Sequence, residues 1–538
     1  MRELTASTGG VSVAVTGARA TSQADLVLDE AVADGLPSSL VAKDATLWGK
    51  VAEAEAQVRL GWLDAVRVGR GLVPSITALR AELAAEGIDR IVLAGMGGSS
   101  LAPEVICATA GASLVVLDTT DPGQVRAALT ALDRTVVVCS SKSGGTVETD
   151  SHRRAARAAF EAAGIDPARR VVVVTDPSSP LEDTARSEGC RAVFLADPNV
   201  GGRYSALTAF GLVPAGLAGV DLEGLLDAAA AVEPGLGSLT NNAGLLLGAA
   251  LGGAGRAGQD KVVLADTGSG ISGFGDWAEQ LIAESTGKQG TGLLPVVVEA
   301  PGAPGTAPEP DTHLVLLGPA PARPEGTAVD GPLGGQFLVW EYATAVAGRV
   351  LGINPFDQPN VQESKDNTKA ILDGSPPPAA VPVLTDGSVE VYGELELLAG
   401  ADSLRDALAA LLAAVPDRGY LAVMAYLDRQ AQGQAHELRA RLAARTRHPV
   451  TFGWAPRFLH STGQYHKGGP PVGTFLQITG AVGEDLAVPG RSFTFGQLQA
   501  AQALGDLRAL QQRARPVIRL HLTERATGLH ALLEAANA

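Results

Sequence analysis

The sequence of 538 residues is short of cysteine, of long apolar runs and of positive charge. Its three cysteines, Cys107, Cys139 and Cys190, form no CxxC pair, so we expect buried, reduced thiols rather than a zinc site or a disulfide framework. No apolar run reaches about 18 residues without a turn-former or a charge, which argues against a transmembrane helix. Residues 1–10 lack a basic segment followed by an apolar one, and we therefore expect a cytoplasmic protein without a secretory signal.

The formal net charge is −16, which makes nucleic acid and anionic membranes poor partners. An anionic ligand would need local positive charge at its site. The basic residues are mostly arginine, and a chain that keeps a lysine can need a compact ammonium at that position. Half of the eight lysines fall within the motifs described below, namely Lys142, Lys288, Lys365 and Lys467.

Apolar runs that alternate with helical patterns predict parallel sheets covered on both faces. We expect two doubly wound α/β domains in the first two-thirds of the chain and a further α/β unit after a proline-rich linker at Asp373–Pro382. Gly318–Pro332 is interpreted as a loop. The predicted strands are Ile91–Ala94, Leu114–Leu117, Thr135–Cys139, Arg170–Thr175, Lys261–Ala265, Leu294–Val298 and His313–Leu317.

The segment Ser140–Thr149 follows a predicted strand and carries hydroxyls, two glycines and one ammonium, Lys142. Backbone N–H groups, side-chain O–H donors and a point charge at a helix start form a phosphate-binding loop. A plain helix N-cap explains one of these hydroxyls but not four. The earlier segment Gly95–Ser100 fits either a second anion-binding loop or an ordinary glycine-rich turn.

Two further segments are ambiguous on spacing alone. Gly268–Gly273 matches the dinucleotide pattern G-x-G-x-x-G, but no acidic residue ends a second strand about 20 residues on, so nicotinamide binding is disfavoured. Gln280, Glu284 and Lys288 share one helix face. That spacing fits a ligand-facing carboxylate, but taken alone it favours an ordinary Glu–Lys pair on a solvated face.

Taken in order, five segments resemble motifs of the glucose-6-phosphate isomerase family. The resemblance covers roughly residues 90–370, and its last segment has Gln362 where the family has glutamate. The phosphate loop reads Ser-Gly-Gly-Thr after Lys142, which is closer to wider sugar-isomerase (SIS) domains, including dual phosphoglucose/phosphomannose isomerases. The matching segments are Gly95–Ser100, Ser140–Thr149, Gly201–Ser205, Gln280–Lys288 and Phe356–Lys365.

The resemblance implies an N-terminal helical segment (1–88), two SIS domains (89–220 and 221–372) and a C-terminal α/β accessory domain (383–538). It implies a homodimer that needs no metal or other cofactor. Glu284 would shuttle a proton between carbons 1 and 2 of the sugar, Arg203 would stabilise the enediolate, and Lys365 would assist ring opening. The implied substrate-binding residues are Ser99, Ser100, Ser141, Lys142, Ser143, Thr146, Gln280 and Gln358.

The family's ring-opening histidine comes from the neighbouring subunit and has no clear counterpart here. His313 lies at a suitable point in the chain but opens an apolar strand. The polar stretch Arg457–Pro470 resembles the C-terminal domain of actinobacterial isomerases, including those fused to a transaldolase; no transaldolase activity is predicted. We hypothesise that His460 or His466 replaces the missing histidine, the alternative being a structural loop.

Three functions therefore stand at this point. The first is interconversion of glucose 6-phosphate and fructose 6-phosphate in glycolysis and gluconeogenesis. The second is a dual phosphoglucose/phosphomannose isomerase. The third, of another class, is a non-catalytic SIS protein that binds a sugar phosphate, which would need the phosphate loop but not Glu284, Arg203 and Lys365 together.

Overall fold

The computed structural model describes residues 3–319, 325–374 and 380–537, without the side chains of 361–365. These residues form three β-sheets with helices between and around them. The strands are β1 (Glu3–Thr8), β2 (Val11–Thr16), β3 (Arg90–Gly95), β4 (Val115–Leu117), β5 (Thr135–Ser140), β6 (Val171–Thr175), β7 (Ala192–Leu195), β8 (Lys261–Asp266), β9 (Leu294–Val298), β10 (Thr312–Leu317), β11 (Gly326–Asp330), β12 (Leu384–Asp386), β13 (Val389–Tyr392), β14 (Tyr420–Tyr426), β15 (Val450–Trp454), β16 (Gly473–Gly480) and β17 (Val517–Leu522).

No helix among the described residues is both long and apolar enough to cross a membrane. The α-helices are α1 (Ala18–Ala33), α2 (Leu36–Val41), α3 (Glu53–Ala56), α4 (Ala65–Arg70), α5 (Val73–Ala85), α6 (Leu101–Thr109), α7 (Pro122–Ala128), α8 (Val147–Ala162), α9 (Pro180–Ser187), α10 (Ala209–Ala218), α11 (Leu222–Leu236), α12 (Ala243–Arg256), α13 (Phe274–Thr286), α14 (Leu333–Val350), α15 (Val361–Asp373), α16 (Leu404–Ala413), α17 (Leu438–Ala443), α18 (Gly463–Gly468), α19 (Phe495–Gln511) and α20 (Arg525–Asn537).

The first sheet has the order β4-β3-β5-β6-β7, and all its strands are parallel. Its strands are rich in valine and buried, as expected for a sheet with helices on both faces. We call this sheet and its helices the first unit. The loops that leave the carboxyl ends of β3 and β5 carry the two glycine- and serine-rich segments, so the topology brings these segments together.

The second sheet has the order β1-β2-β11-β10-β8-β9 and forms the second unit. Strands β8 to β11 are parallel, whereas β1 and β2 form an antiparallel hairpin whose second strand pairs with β11. Two predictions were therefore wrong. The N-terminal segment is not entirely helical, because alternating residues of Val11–Thr16 are buried in the sheet. Part of the predicted loop Gly318–Pro332 is strand β11.

The third sheet, β12-β13-β17-β16-β14-β15, repeats the order and strand directions of the second. It forms the third unit, and it too ends in an antiparallel hairpin. Its face packs on the second sheet through a shared apolar cluster that includes Val263, Leu294, Tyr420 and Phe475. This contact fixes the third unit against the other two, close to the end of helix α13.

All seven strands predicted in the first two-thirds of the chain are present within one or two residues. The expectation of doubly wound α/β sheets with a further α/β unit is confirmed. Half of the predicted linker at Asp373–Pro382 lies outside the described residues, since 375–379 are not described. The remaining domain boundaries stay predictions.

Candidate active site

A cavity of about 480 Å³ opens where the carboxyl ends of the first sheet face helix α13 of the second unit and the 3₁₀ turn Arg457–His460 of the third. Ten of the predicted site residues line it, so the fold gathers side chains that are far apart in sequence. The lining residues are Arg59, Met96, Gly97, Gly98, Ser99, Ser140, Ser141, Lys142, Ser143, Thr146, Asp176, Gly201, Gly202, Arg203, Gln280, Glu284, Phe356, Gln358 and His460.

The predicted phosphate loop lies at one end of this cavity, between strand β5 and helix α8. Its hydroxyls form an internal network in which Ser141 Oγ donates to Thr146 Oγ1 at 3.2 Å and accepts from the Gly144 N–H at 3.2 Å. The start of α8 points its free N–H groups and the positive end of its dipole toward this loop. The arrangement suits a small anion.

The ammonium of Lys142 forms an ion pair with Asp176 and also donates to the carbonyl of Pro198 at 3.2 Å. Asp176 directly follows strand β6 and lines the same cavity. Burial raises the pKa of Asp176, and the Lys142 ammonium opposes that rise. This carboxylate is not among the residues predicted from the sequence. The signal available was its place at the carboxyl end of the strand next to β5.

Arg203 lies at the other end of the cavity, and its side chain is only 1% exposed. The guanidinium uses all five of its N–H groups, which fixes its plane. It donates from Nε to Ser285 Oγ at 2.7 Å, from Nη1 to Glu284 Oε1 at 3.0 Å and Gln358 Oε1 at 2.9 Å, and from Nη2 to the carbonyls of Pro355 at 2.7 Å and Asp357 at 3.0 Å.

The Glu284 carboxylate is held at both oxygens. Arg203 contacts Oε1, and Gln280 Nε2 donates to Oε2 at 3.0 Å. Lys288 does not pair with Glu284, so the interpretation of this spacing as an ordinary Glu–Lys pair is wrong. Its ammonium instead donates to Asp357 Oδ1 at 2.7 Å, and burial lowers the pKa of Lys288 to about 8. Glu284 is therefore oriented by Arg203 and by Gln280, one turn earlier on α13, and not by Lys288.

The two glycine motifs approach each other backbone to backbone. A Cβ on Gly98 would lie 1.9 Å from the Gly202 carbonyl oxygen, so no larger residue fits there. Gly97 has a φ of +54°, and its Cβ would lie 2.7 Å from Gln280 Nε2. These glycines let the Gly95–Ser100 turn fit between Arg203 and Gln280 and form part of the cavity wall.

His460 reaches the cavity from the third unit and is held at two points. Its backbone carbonyl accepts from Gln280 Nε2 at 2.8 Å, and its ring Nε2 lies 3.0 Å from Glu148 Oε1. Glu148 also accepts from Gln502 Nε2 at 2.7 Å. His460 is among the residues predicted from the sequence, whereas Glu148 is not, although it lies within the phosphate-loop motif Ser140–Thr149.

Two predicted residues with described side chains, His466 and Ser100, do not line the cavity. His466 is buried beside Tyr420, Phe458 and Phe475, and both its ring nitrogens are buried without a hydrogen-bond partner, because α18 turns this side chain into the third unit. Ser100 is buried and donates to the Gly97 carbonyl at 3.2 Å.

The side chain of Lys365 lies outside the described residues; its helix, α15, begins at Val361. His313, the other histidine considered, is buried in strand β10 against Thr327, and burial lowers the pKa of His313 to about 4. Of the candidate histidines, only His460 therefore lines the cavity.

The dinucleotide-like segment Gly268–Gly273 is an acid-capped turn. Asp266 Oδ1 accepts from the Gly268 N–H at 2.6 Å and the Ser269 N–H at 2.9 Å, so these donors are already used. A pyrophosphate would need such free N–H groups. Within residues 3–319, 325–374 and 380–537, no three His, Cys, Asp or Glu side chains are grouped so that they could hold a metal ion.

Comparison with known proteins shows similarity to glucose-6-phosphate isomerases over part of the chain. The family model described as phosphoglucose isomerase matches residues 78–288. A glucose-6-phosphate isomerase from Thermosynechococcus vestitus is 36% identical over 212 residues, which is 37% of this chain and 40% of that enzyme. One from Geobacter sp. (strain M21) is 37% identical over 211 residues, which is 37% of this chain and 40% of that enzyme.

Solved structures extend the similarity beyond this segment. A hypothetical protein from Thermus thermophilus is 26% identical with a TM-score of 0.57, covering 66% of this chain and 97% of that one. A glucose-6-phosphate isomerase from Chlamydia trachomatis, 16% identical with a TM-score of 0.54, shares the fold over 69% of this chain and 89% of its own. The sequence match spans 40–49% of the length of the first curated relatives.

Proposed function

Because residues 78–288 match the phosphoglucose isomerase family model, we propose that the chain interconverts glucose 6-phosphate and fructose 6-phosphate. One observation carries this proposal. A single cavity has an anion-binding loop at one end and, at the other, a carboxylate held between a guanidinium and an amide. The two ends of this cavity fit a phosphorylated sugar, with the phosphate at the loop and the first two carbons, which react, at the carboxylate.

The phosphate would bind against Ser141–Thr146, where hydroxyls, backbone N–H groups and the Lys142 ammonium converge. Asp176 neutralises Lys142 in the free protein. An incoming phosphate dianion therefore competes with a single carboxylate for that ammonium. Charge-assisted hydrogen bonds of this kind are stronger than neutral ones and would anchor the substrate by its sixth carbon.

Glu284 would remove the proton from carbon 2 of the open-chain aldose and return it to carbon 1. One carboxylate is enough, because the planar cis-enediol can lose and regain the proton on the same face. Arg203 Nη1 lies beside Glu284 and is shared with Gln358. An enediolate oxygen that displaced the Gln358 amide would contact a guanidinium that is already fixed in place. Preorganised donors of this kind stabilise the negative charge that develops in the transition state.

His460 would catalyse ring opening together with Glu148. A proton on Nε2 satisfies the Glu148 carboxylate at 3.0 Å, so Nδ1 is left to accept the proton of the sugar's C1 hydroxyl. Glu148 would then stabilise the imidazolium. Helix α15 would bring Lys365 as the second ring-opening group.

The decisive assay starts from fructose 6-phosphate and measures glucose 6-phosphate and mannose 6-phosphate in parallel. We expect glucose 6-phosphate from the wild type and a loss of at least about a thousandfold in kcat for Glu284→Gln, which keeps shape but not basicity. Formation of both sugars would favour the dual isomerase. Wild-type protein that binds the sugar phosphate without turnover would indicate the non-catalytic protein and contradict the proposal.

The role of His460 needs its own test. His460→Asn should slow turnover of freshly dissolved cyclic anomers while leaving proton exchange at carbon 2 of the open-chain sugar less affected. Glu148→Gln should weaken the same step. His466→Asn is the comparison, since His466 does not line the cavity. Equal loss of anomer turnover and of proton exchange in His460→Asn would contradict a ring-opening role.

A further inference from the structure

We infer that Arg59, from the N-terminal segment, is a second cationic ligand for the substrate phosphate. This inference rests on the proposed function, since it concerns the phosphate end of the same cavity. Arg59 lines that cavity together with Lys142 and the loop Ser141–Thr146. No sequence motif includes Arg59, and its position becomes apparent only in the folded chain.

Arg59 and Lys142 converge on one atom. Arg59 Nη1 donates to the carbonyl oxygen of Pro198 at 3.0 Å, and Lys142 Nζ donates to the same oxygen at 3.2 Å. The two cationic nitrogens are therefore within about 6 Å of each other. A phosphate bound by Lys142 would lie within reach of the Arg59 guanidinium, whose planar fork matches phosphate oxygens.

The charges at the cavity show why a second cation is needed. Lys142 is paired with Asp176, and Arg203 is paired with Glu284 and has no spare N–H group. Of the three permanent cations among the described lining residues, two are thus already balanced by carboxylates within the cavity. A phosphate dianion that met only Lys142 beside Asp176 would find almost no net positive charge, in a protein whose net charge is −16.

Arg59 has a partner that lies outside the cavity wall. Its Nε donates to Glu55 Oε1 at 2.7 Å, one helical turn earlier. The hydrogen bonds described for this side chain use Nε and Nη1, which leaves Nη2 for a ligand. The side chain is 27% exposed, compared with 1% for Arg203, so a ligand can reach it.

The segment around Arg59 is fixed to the loop after strand β7. Leu60 forms an isolated antiparallel bridge with Val200, and the Gly61 N–H donates to the Asn199 carbonyl at 3.1 Å. A Cβ on Gly61 would lie 2.9 Å from that same oxygen, so the close approach needs glycine. These backbone contacts hold Arg59 beside Pro198, and the cation is therefore positioned before any ligand binds.

Two variants with opposite expected effects test this inference. Binding of inorganic phosphate and of fructose 6-phosphate is measured by calorimetry, and KM and kcat are measured for fructose 6-phosphate. Arg59→Ala should weaken phosphate binding roughly tenfold and raise KM more than it lowers kcat, as expected when a charged hydrogen bond is lost. Glu55→Gln should strengthen phosphate binding, because it frees the Arg59 fork. Arg67→Ala is the matched control, since that arginine is 74% exposed outside the cavity.

Unphosphorylated fructose separates a phosphate contact from a general effect, because its slow conversion should be equal in wild type and Arg59→Ala. If Arg59→Ala binds phosphate as tightly as wild type, the inference is wrong whether or not the protein is an isomerase. If Arg59→Ala weakens phosphate binding in a protein that does not isomerise fructose 6-phosphate, the inference stands and the proposed function fails.

Discussion

Replacing Arg203 with lysine keeps the positive charge and removes the planar fork. In the wild type, five N–H groups meet five acceptors around a side chain that is almost completely buried. A lysine ammonium has three donors and projects them from one atom. At least two of the five acceptors would therefore lose their arginine donor, and because Lys288 Nζ also donates to the Asp357 carbonyl, at least one acceptor would be left without a partner.

The magnitude follows from that count. Each buried acceptor left unsatisfied costs about 1–3 kcal/mol, so Arg203→Lys should lose at least about 1–3 kcal/mol of unfolding free energy. Glu284 would also lose one of its two orienting contacts. Because a displacement of about 1 Å in a reacting group can cost about a hundredfold in rate, kcat should fall by at least about that factor.

The assay pairs urea unfolding with steady-state kinetics on fructose 6-phosphate. Arg439→Lys is the matched control, because Arg439 is equally buried and bridges Glu299 and the Pro304 carbonyl away from the cavity. We expect the control to lose stability and keep kcat, whereas Arg203→Lys should lose both. An Arg203→Lys protein with wild-type kcat would refute the argument that the fork positions the carboxylate.

Burial raises the pKa of Glu341, so the folded protein holds a proton that the unfolded chain releases. As the pH rises from the unfolded to the folded pKa, the free energy of unfolding should therefore fall by about 1.4 kcal/mol per pH unit. Glu341→Gln should remove this dependence in urea unfolding at pH 6 and pH 8; an equal decline in both proteins would contradict it. Gly98→Ala should lower the free energy of unfolding by about 1–3 kcal/mol, because the added Cβ would clash with the Gly202 carbonyl. An unchanged melting temperature would contradict that contact. Asp176→Asn should lower KM by up to about fivefold by freeing Lys142, the effect of an ion pair of about 1 kcal/mol; an unchanged KM would show that Asp176 does not compete with phosphate.

The sheet strands were predictable because their apolar runs are long and buried on both faces. Val171–Thr175, with four successive valines, has no competing interpretation as a solvated segment. The hairpin of β1 and β2 was missed because its alternation is short and its partner, β11, is more than 300 residues away in sequence. The matching order of the second and third sheets was also hidden, since strand order depends on long-range pairing that local composition does not determine.

The candidate site also divides into features that local sequence predicts and features that depend on contacts between distant segments. Local chemistry predicted the phosphate loop, because its donors are consecutive in sequence. Spacing alone could not decide the role of Glu284, since its true partner, Arg203, lies on a different element in the first unit. Arg59 became apparent only when separate loops met at the cavity, and Glu148 only through its contact with His460 of the third unit.

His460 gives the cavity a covalently attached histidine, because the third unit belongs to the same chain as Glu284. A group tethered in this way has an effective concentration on the order of millimolar or more, well above the nanomolar enzyme used in an assay. His460 therefore reaches the cavity from the same chain that supplies Glu284. If the expected homodimer forms, specific activity should stay constant as the protein is diluted through its dissociation, which distinguishes a cavity completed within one chain from one completed between two.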